Sequence, residues 1–176
     1  MRGSANVRVG LVLALGLGLI LAGALYYLSI PAVGTLTIEV RDAPTEFTRV
    51  IVTFSEVRIH RADAGNESGW LNLSLVTSTI DFMSLGNLTE VLALDRVPAG
   101  QYTQIRIVVS SASGTMIGGA SVSMRVPDGI LRTDTPFELK AGGATTVTLD
   151  FDLSHSIQQA GGSWTFIPVL GSVLVR

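Results

Sequence analysis

The sequence predicts an all-β domain, an antiparallel β-sandwich of seven to nine strands, preceded by one N-terminal transmembrane or signal helix. Three observations carry this expectation. Beyond Pro31 the apolar residues recur at period two nearly throughout, the spacing of strands with one buried face. Turn residues separate these runs at regular intervals, as in sandwiches. Residues 1–30 break the pattern with a single uninterrupted apolar run.

That run comes first. Val9 to Ile30 contains no charged residue, and its length suits a helix crossing a bilayer. Arg2 and Arg8 precede it and the next basic residue is Arg41. The positive-inside rule then puts the N-terminus in the cytoplasm and everything after Ile30 outside. Ala22-Gly23-Ala24 has the small-x-small form of a cleavage site. The apolar run continues past it, and Tyr26 and Tyr27 stand where an aromatic belt meets the outer interface. The expectation is a retained anchor in the cell membrane, with a secreted domain as the alternative if cleavage occurs near Ala24. Leu21 to Ala24 has the outline of a lipoprotein box, but Ala24 occupies the place of the lipid-bearing cysteine. Residues 31–34 form a short spacer, and residues 35–176 form one extracytoplasmic domain.

A domain of that length buries about two thirds of its unfolded surface. The chain has no cysteine, so an exported domain must hold together by packing alone. Apart from Arg2 and Arg8, ten basic residues face fourteen acidic ones. That balance argues against nucleic acid, whose phosphates require a basic face. Asn66, Asn72 and Asn87 each begin an N-x-Ser/Thr sequon, three of the four asparagines in the chain. They are the candidate glycosylation sites of an exported glycoprotein, with coincidence in polar loops as the plain alternative.

In order along the domain, Leu36, Ile38 and Val40 make the buried face of a first strand, ended at Asp42-Ala43-Pro44 because proline cannot donate to a ladder. The second strand runs from Val50 to His60. Its apolar phase switches between Phe54 and Val57, which requires a bulge near Ser55-Glu56, and His60 falls on the polar face. A polar loop leads to a strand starting at Trp70, and Ile80 to Met83 is a short strand or turn. Leu88, Val91 and Leu92 are spaced for one or two helical turns. Pro98-Ala99-Gly100 is a turn. The strand beyond it points Ile105, Ile107 and Val109 one way and Tyr102, Gln104 and Arg106 the other. Further strands are expected near residues 120–126, 137–139 and 145–152. Lys140 to Ala144 joins the last two as a hairpin, and a brief turn comes near Ser154. One apolar strand from Trp164 to Val175 closes the domain.

The stretch VTLDFDLSHSI (Val147 to Ile157) is where a site would be sought first. Asp150 and Asp152 share the polar face of an amphipathic strand, and His155 lies three residues beyond. Carboxylates at a strand end, or capping a turn, need no further purpose. Asp-x-Asp-x-Ser also resembles the first half of a calcium loop. That pattern fails at His155 and Gly161, where glycine and a bidentate glutamate belong. A calcium ion held by Asp150 and Asp152 with Asp42 or Asp81 is the residual metal reading. Zinc wants more than two histidines without cysteine. No Gly-x-Ser-x-Gly elbow and no glycine-rich phosphate loop is present, so no enzyme class is indicated. Trp70, Tyr102 and Trp164 are the aromatics able to stack on sugar, although core packing accounts for each.

Several segments occur together in order: Arg41-Asp-Ala-Pro44, Val50 to His60, Gly69-Trp-Leu71, Pro98 to Ile107 (PAGQYTQIRI), Leu149-Asp-Phe-Asp152 with Ser154, and Trp164 to Pro168. In these the chain resembles a family of exported bacterial and archaeal surface domains, domain of unknown function 4382. The resemblance implies an exported domain and a small β-sandwich of prealbumin-like or carbohydrate-binding kind. It brings no activity. Asp42, Arg106 and Asp150 or Asp152 are the charged members of the matching segments, expected as an ion-pair network.

Three functions compete. One is a non-catalytic surface module, anchored in the membrane, that binds glycan, envelope polymer or a protein partner. Another is a structural subunit of a filament or surface layer, self-associating by strand addition through the C-terminal strand or the strand after Gly34. The third is a calcium-binding or hydrolytic protein.

Overall fold

A computed structural model describes residues 15–26, 31–42, 46–65 and 68–176. The chain divides into two compact units, Met1–Ala32 and Val33–Arg176.

In the first unit, residues 15–26 form a helix, α1. Its Leu15, Leu17, Leu19, Ile20, Leu21 and Leu25 are all exposed. Among the described residues no helix is long and apolar enough to cross a membrane. The expected span from Val9 to Ile30 extends on both sides of α1 into residues outside the described ones, as do Ala43, Pro44 and the sequon at Asn66.

The second unit contains thirteen strands among the described residues. They are β1 (Val33–Asp42), β2 (Phe47–Arg61), β3 (Trp70–Leu73), β4 (Thr79–Asp81), β5 (Glu90–Pro98), β6 (Gly100–Met116), β7 (Ser121–Arg125), β8 (Ile130–Thr133), β9 (Phe137–Leu139), β10 (Ala144–Phe151), β11 (Ile157–Ala160), β12 (Ser163–Phe166) and β13 (Leu170–Val175). Two single-turn helices interrupt them, α2 (Phe82–Leu85) and α3 (Leu153–Ser156). The expected seven to nine strands fall short because six of these are only three or four residues long. Such a run is too short to display a period.

One sheet has the order β13-β10-β1-β5. The other is built on the long β2–β6 ladder. β3 and β4 lie along the free side of β2, while β9, β8 and β7 lie along the free side of β6, with β12 and β11 beyond β7. The sheets are mixed, which corrects the antiparallel expectation: β1 runs parallel to β10, and β12 runs parallel to β7. Period two reports which face of a strand is buried. It is silent on the direction of a partner a hundred residues away.

Both sheets bury their apolar faces in one cluster. Phe54 of β2, Phe82 of α2 and Phe151 of β10 meet there, with centroids 5.2 to 6.3 Å apart. The bulge in β2 is present: Phe54 pairs with Val109 and Glu56 with Val108, leaving Ser55 as the extra residue. The helix expected at residues 88–94 is absent; from Glu90 on this stretch belongs to β5. Leu92 is a bulge residue, because Ile38 pairs with Ala93 and Glu39 with Val91. Leu92 and Ala93 are therefore both buried, and two adjacent apolar positions imitated helical spacing.

Two expected connections also differ. Lys140 to Ala144 is a crossover between sheets rather than a hairpin, since β9 pairs with β6 and β10 with β1. The single strand expected from Trp164 to Val175 is two strands in different sheets, β12 and β13. Pro168, which lies between them, cannot continue a ladder. The turn at Pro98-Ala99-Gly100 carries the chain between sheets, with Gly100 at φ 148°, a conformation that L side chains rarely adopt.

Candidate functional site

The acidic stretch at the end of β10 resolves into local structure. Asp152 caps α3. Its carboxylate accepts from the Ser154 hydroxyl at 2.6 Å, the His155 amide at 3.1 Å and His155 Nδ1 at 2.6 Å. The Ser154 bond, then the His155 ring, hold its carboxyl below the ordinary aspartate value. Asp150 receives Arg41 Nη2 at 3.0 Å and the Ser172 hydroxyl at 3.1 Å. Asp81 receives Arg49 Nε at 2.9 Å and the Val50 amide. The side chain of Asp42 lies outside the described residues. The structure thus gives Asp81, Asp150 and Asp152 separate partners, and among the described residues no three metal-ligating side chains converge. Among the described residues the expected pairing of Arg106 with Asp150 or Asp152 does not form; Arg106 belongs to β6 and Asp150 to β10 of the other sheet.

The sequon residues Asn72, on β3, and Asn87, in the turn after α2, are exposed.

Of the three aromatics considered for sugar stacking, Tyr102 is fully buried. It stacks on Phe137 at 5.2 Å and donates its hydroxyl to the Pro98 carbonyl at 2.6 Å. Burial raises its phenol above the ordinary tyrosine value. The sequence puts Tyr102 on the face of Gln104 and Arg106. A bulge overturns that: His60 pairs with Gln104 and Arg61 with Tyr102, so Thr103 is the extra residue and the phase changes. Trp164 packs edge-on against Phe47 at 5.1 Å.

Trp70 is different. It lies on β3 directly across from His60, with the ring centroids 4.8 Å apart. The Arg106 guanidinium sits 4.1 Å from the centre of the Trp70 ring, and that of Arg58 sits 5.9 Å away. His60 is buried, not a surface residue as its place on the polar face suggested. Its Nε2 lies 3.1 Å from the Gly65 carbonyl and its Nδ1 lies 3.3 Å from the Thr103 hydroxyl. A carbonyl only accepts, so Nε2–H donates, and the ring pins the loop after β2. His60, Trp70, Thr103, Gln104 and Arg106 line a cavity of about 390 Å³.

The strand registers extend this site across the sheet. Asn72 of β3 is opposite Arg58 of β2, Arg58 opposite Arg106 of β6, and Arg106 opposite Arg132 of β8. Three arginines thus stand in one row on the outer face, the face that alternates with buried Val57, Ile59, Ile105, Ile107 and Leu131. Like charges directly opposite each other destabilise a sheet. The compensation is partial. Glu56 lies 3.0 Å from Arg58 Nε, but without hydrogen-bond geometry, since Arg58 Nε has no hydrogen-bond partner. Arg106 Nε is likewise buried and unpaired, and the indole ring is the group facing its guanidinium. Among the described residues no ion pair reaches Arg106 or Arg132.

Chemically this face brings together an aromatic ring, guanidinium groups and side-chain hydrogen-bonding groups beside a cavity. The sequence singled out Trp70 and Arg106 separately. Arg58 and Arg132 were missed. Their only signal is an outward position on an amphipathic strand, and the register that aligns them is a tertiary fact. No match was found among curated proteins or among solved structures. Residues 33–168 match the model of a family described as Domain of unknown function (DUF4382), and over that span the chain belongs to this family.

Proposed function

We propose that this protein is a membrane-anchored surface module that displays its β domain outside the cytoplasm and binds a glycan or envelope polymer without catalysis. In this reading the two sheets are the layers of a sandwich, and the outer face of the larger one is the binding surface. The observation that carries it is the Trp70 indole beneath the Arg106 guanidinium, at the cavity lined by His60, Thr103 and Gln104. Aromatic planes flanked by fixed hydrogen-bonding groups suit the flat, hydroxylated faces of sugars. The uncharged run from Val9 to Ile30 behind Arg2 and Arg8, helical where it is described, supports the anchor. The sequons at Asn66, Asn72 and Asn87 support export. The test is binding of the detergent-solubilised full chain to immobilised neutral and acidic polysaccharides, beside Trp70→Ala. A loss of about tenfold or more, in a variant that keeps the far-ultraviolet strand signal of the wild type, is the expected result. Equal binding by the variant refutes this face.

A second reading, a structural subunit assembling by strand addition, is favoured by the position of β13 at the edge of its sheet. The strand after Gly34 cannot serve, because β1 is paired on both sides. Concentration-dependent ladders in cross-linking, abolished by Val173→Pro, would support assembly through β13. A strictly monomeric chain would count against it.

A further inference from the structure

Building on the reading of the Trp70 face as a binding surface, we infer that its ligand is an acidic polysaccharide. Its successive carboxylates would be held by the row Arg58, Arg106 and Arg132, with one sugar ring against the Trp70 platform. Four observations converge on this. The row has three guanidinium groups against one carboxylate, that of Glu56, in a chain whose formal charge is −2. The concentration of positive charge is therefore local and runs against the protein as a whole. Among the described residues no ion pair holds Arg106 or Arg132. A guanidinium left so offers donors that a planar carboxylate can take up. The three arginines occupy neighbouring strands in register, so three guanidinium groups issue from one line across the sheet. A linear polymer with one carboxylate on each sugar can meet several of them at once, whereas a single small anion would engage only part of the row. Finally, the row abuts an indole and the cavity beside it. That arrangement sets an aromatic group beside the charged row, a contact that a bare polyanion does not use.

Binding is then selective for charge and ring together.

The experiment is calorimetric titration of the full chain in mild detergent with a hexamer of 1,4-linked galacturonate, its methyl ester, and inorganic polyphosphate. Wild type is compared with the double variant Arg106→Gln/Arg132→Gln and with Trp70→Ala. The acid hexamer is expected to bind about tenfold or more tightly than its ester in dilute buffer, with the advantage shrinking at high salt as exposed charges are screened. The double variant loses that advantage, so that acid and ester bind it alike. Trp70→Ala weakens both sugars alike. Equal affinity for acid and ester overturns the inference while leaving a neutral-glycan surface standing. Polyphosphate binding as tightly as the acid hexamer, and indifferent to Trp70, overturns it in favour of a plain polyanion patch. Failure of both hexamers overturns it as well, and the Trp70→Ala comparison on the wider set of polysaccharides then decides the underlying reading by itself.

Discussion

Phe151 is the residue on which the cohesion of the β domain is most directly tested. It is fully buried on β10 of the smaller sheet, yet its ring partners come from the other side of the core. Phe54 of β2 is 5.8 Å away at 75°, and Phe82 of α2 is 5.2 Å away at 44°. Phe151→Ala therefore removes a core phenyl group, which by itself costs about 3–5 kcal/mol including the cavity left behind. It also removes two ring contacts, each worth roughly 0.5–1.5 kcal/mol. These terms overlap, so the expected loss is about 4–5 kcal/mol, a quarter or more of the roughly 5–15 kcal/mol typical of a domain. Phe151→Leu retains most of the volume and forfeits the ring geometry, and should cost about 1–2 kcal/mol. The assay is urea unfolding of the full chain in mild detergent, monitored by tryptophan fluorescence, with the m-value checked for constancy. A double-mutant cycle with Phe54→Ala should return a coupling of about 0.5–1.5 kcal/mol between the sheets. A loss below about 2 kcal/mol for Phe151→Ala at constant m, or zero coupling to Phe54, would refute the claim that these rings join the sheets.

The charge arrangement carries two further expected outcomes. Arg132→Gln removes one of the like charges standing opposite Arg106, and is expected to raise stability by about 0.3 kcal/mol in dilute buffer while weakening acidic ligands. Because Arg132 is exposed, the gain should vanish at high salt, and a gain independent of salt would show that charge is not its cause. The second concerns Asp152, whose carboxyl is held below its ordinary value by the Ser154 hydroxyl and then the His155 ring. A depressed folded value stabilises above the unfolded value of about 3.9 and loses that contribution as pH falls through the folded value. The melting temperature of wild type should therefore exceed that of Asp152→Asn at pH 7, and the gap should close as the pH falls below about 4. A gap unchanged at pH 2 would mean that the charged cap contributes nothing.

Much of the fold was legible along the chain because each strand reports its own burial. The buried face of β1, the bulge at Ser55, the turn before Gly100 and the turn at α3 all stem from period two and from turn chemistry acting within a few residues. The errors arose where a bulge put two adjacent residues on the same face. Leu92 and Ala93 imitated a helix, and the extra Thr103 moved Tyr102 from the expected outer face into the core. A bulge of this kind is imposed by the partner strand, so the strand's own sequence carries little sign of it.

The sequence by itself determined the apolar N-terminal segment, the β nature of the chain beyond Pro31, the membership that its motifs announced and the absence of any disulfide. Those are properties of composition and of neighbours a few residues apart. The tertiary structure decided which strands run parallel, that β1 is closed on both sides while β13 stands at an edge, and that the acids of LDFDLSHS act as cap and ion pair. It also decided that Arg58, Arg106 and Arg132 stand in one row beside Trp70. Their positions span seventy-four residues of chain, and only the pairing of β3, β2, β6 and β8 brings them side by side. Register between distant strands is set by the packing of the whole core, and so is the site.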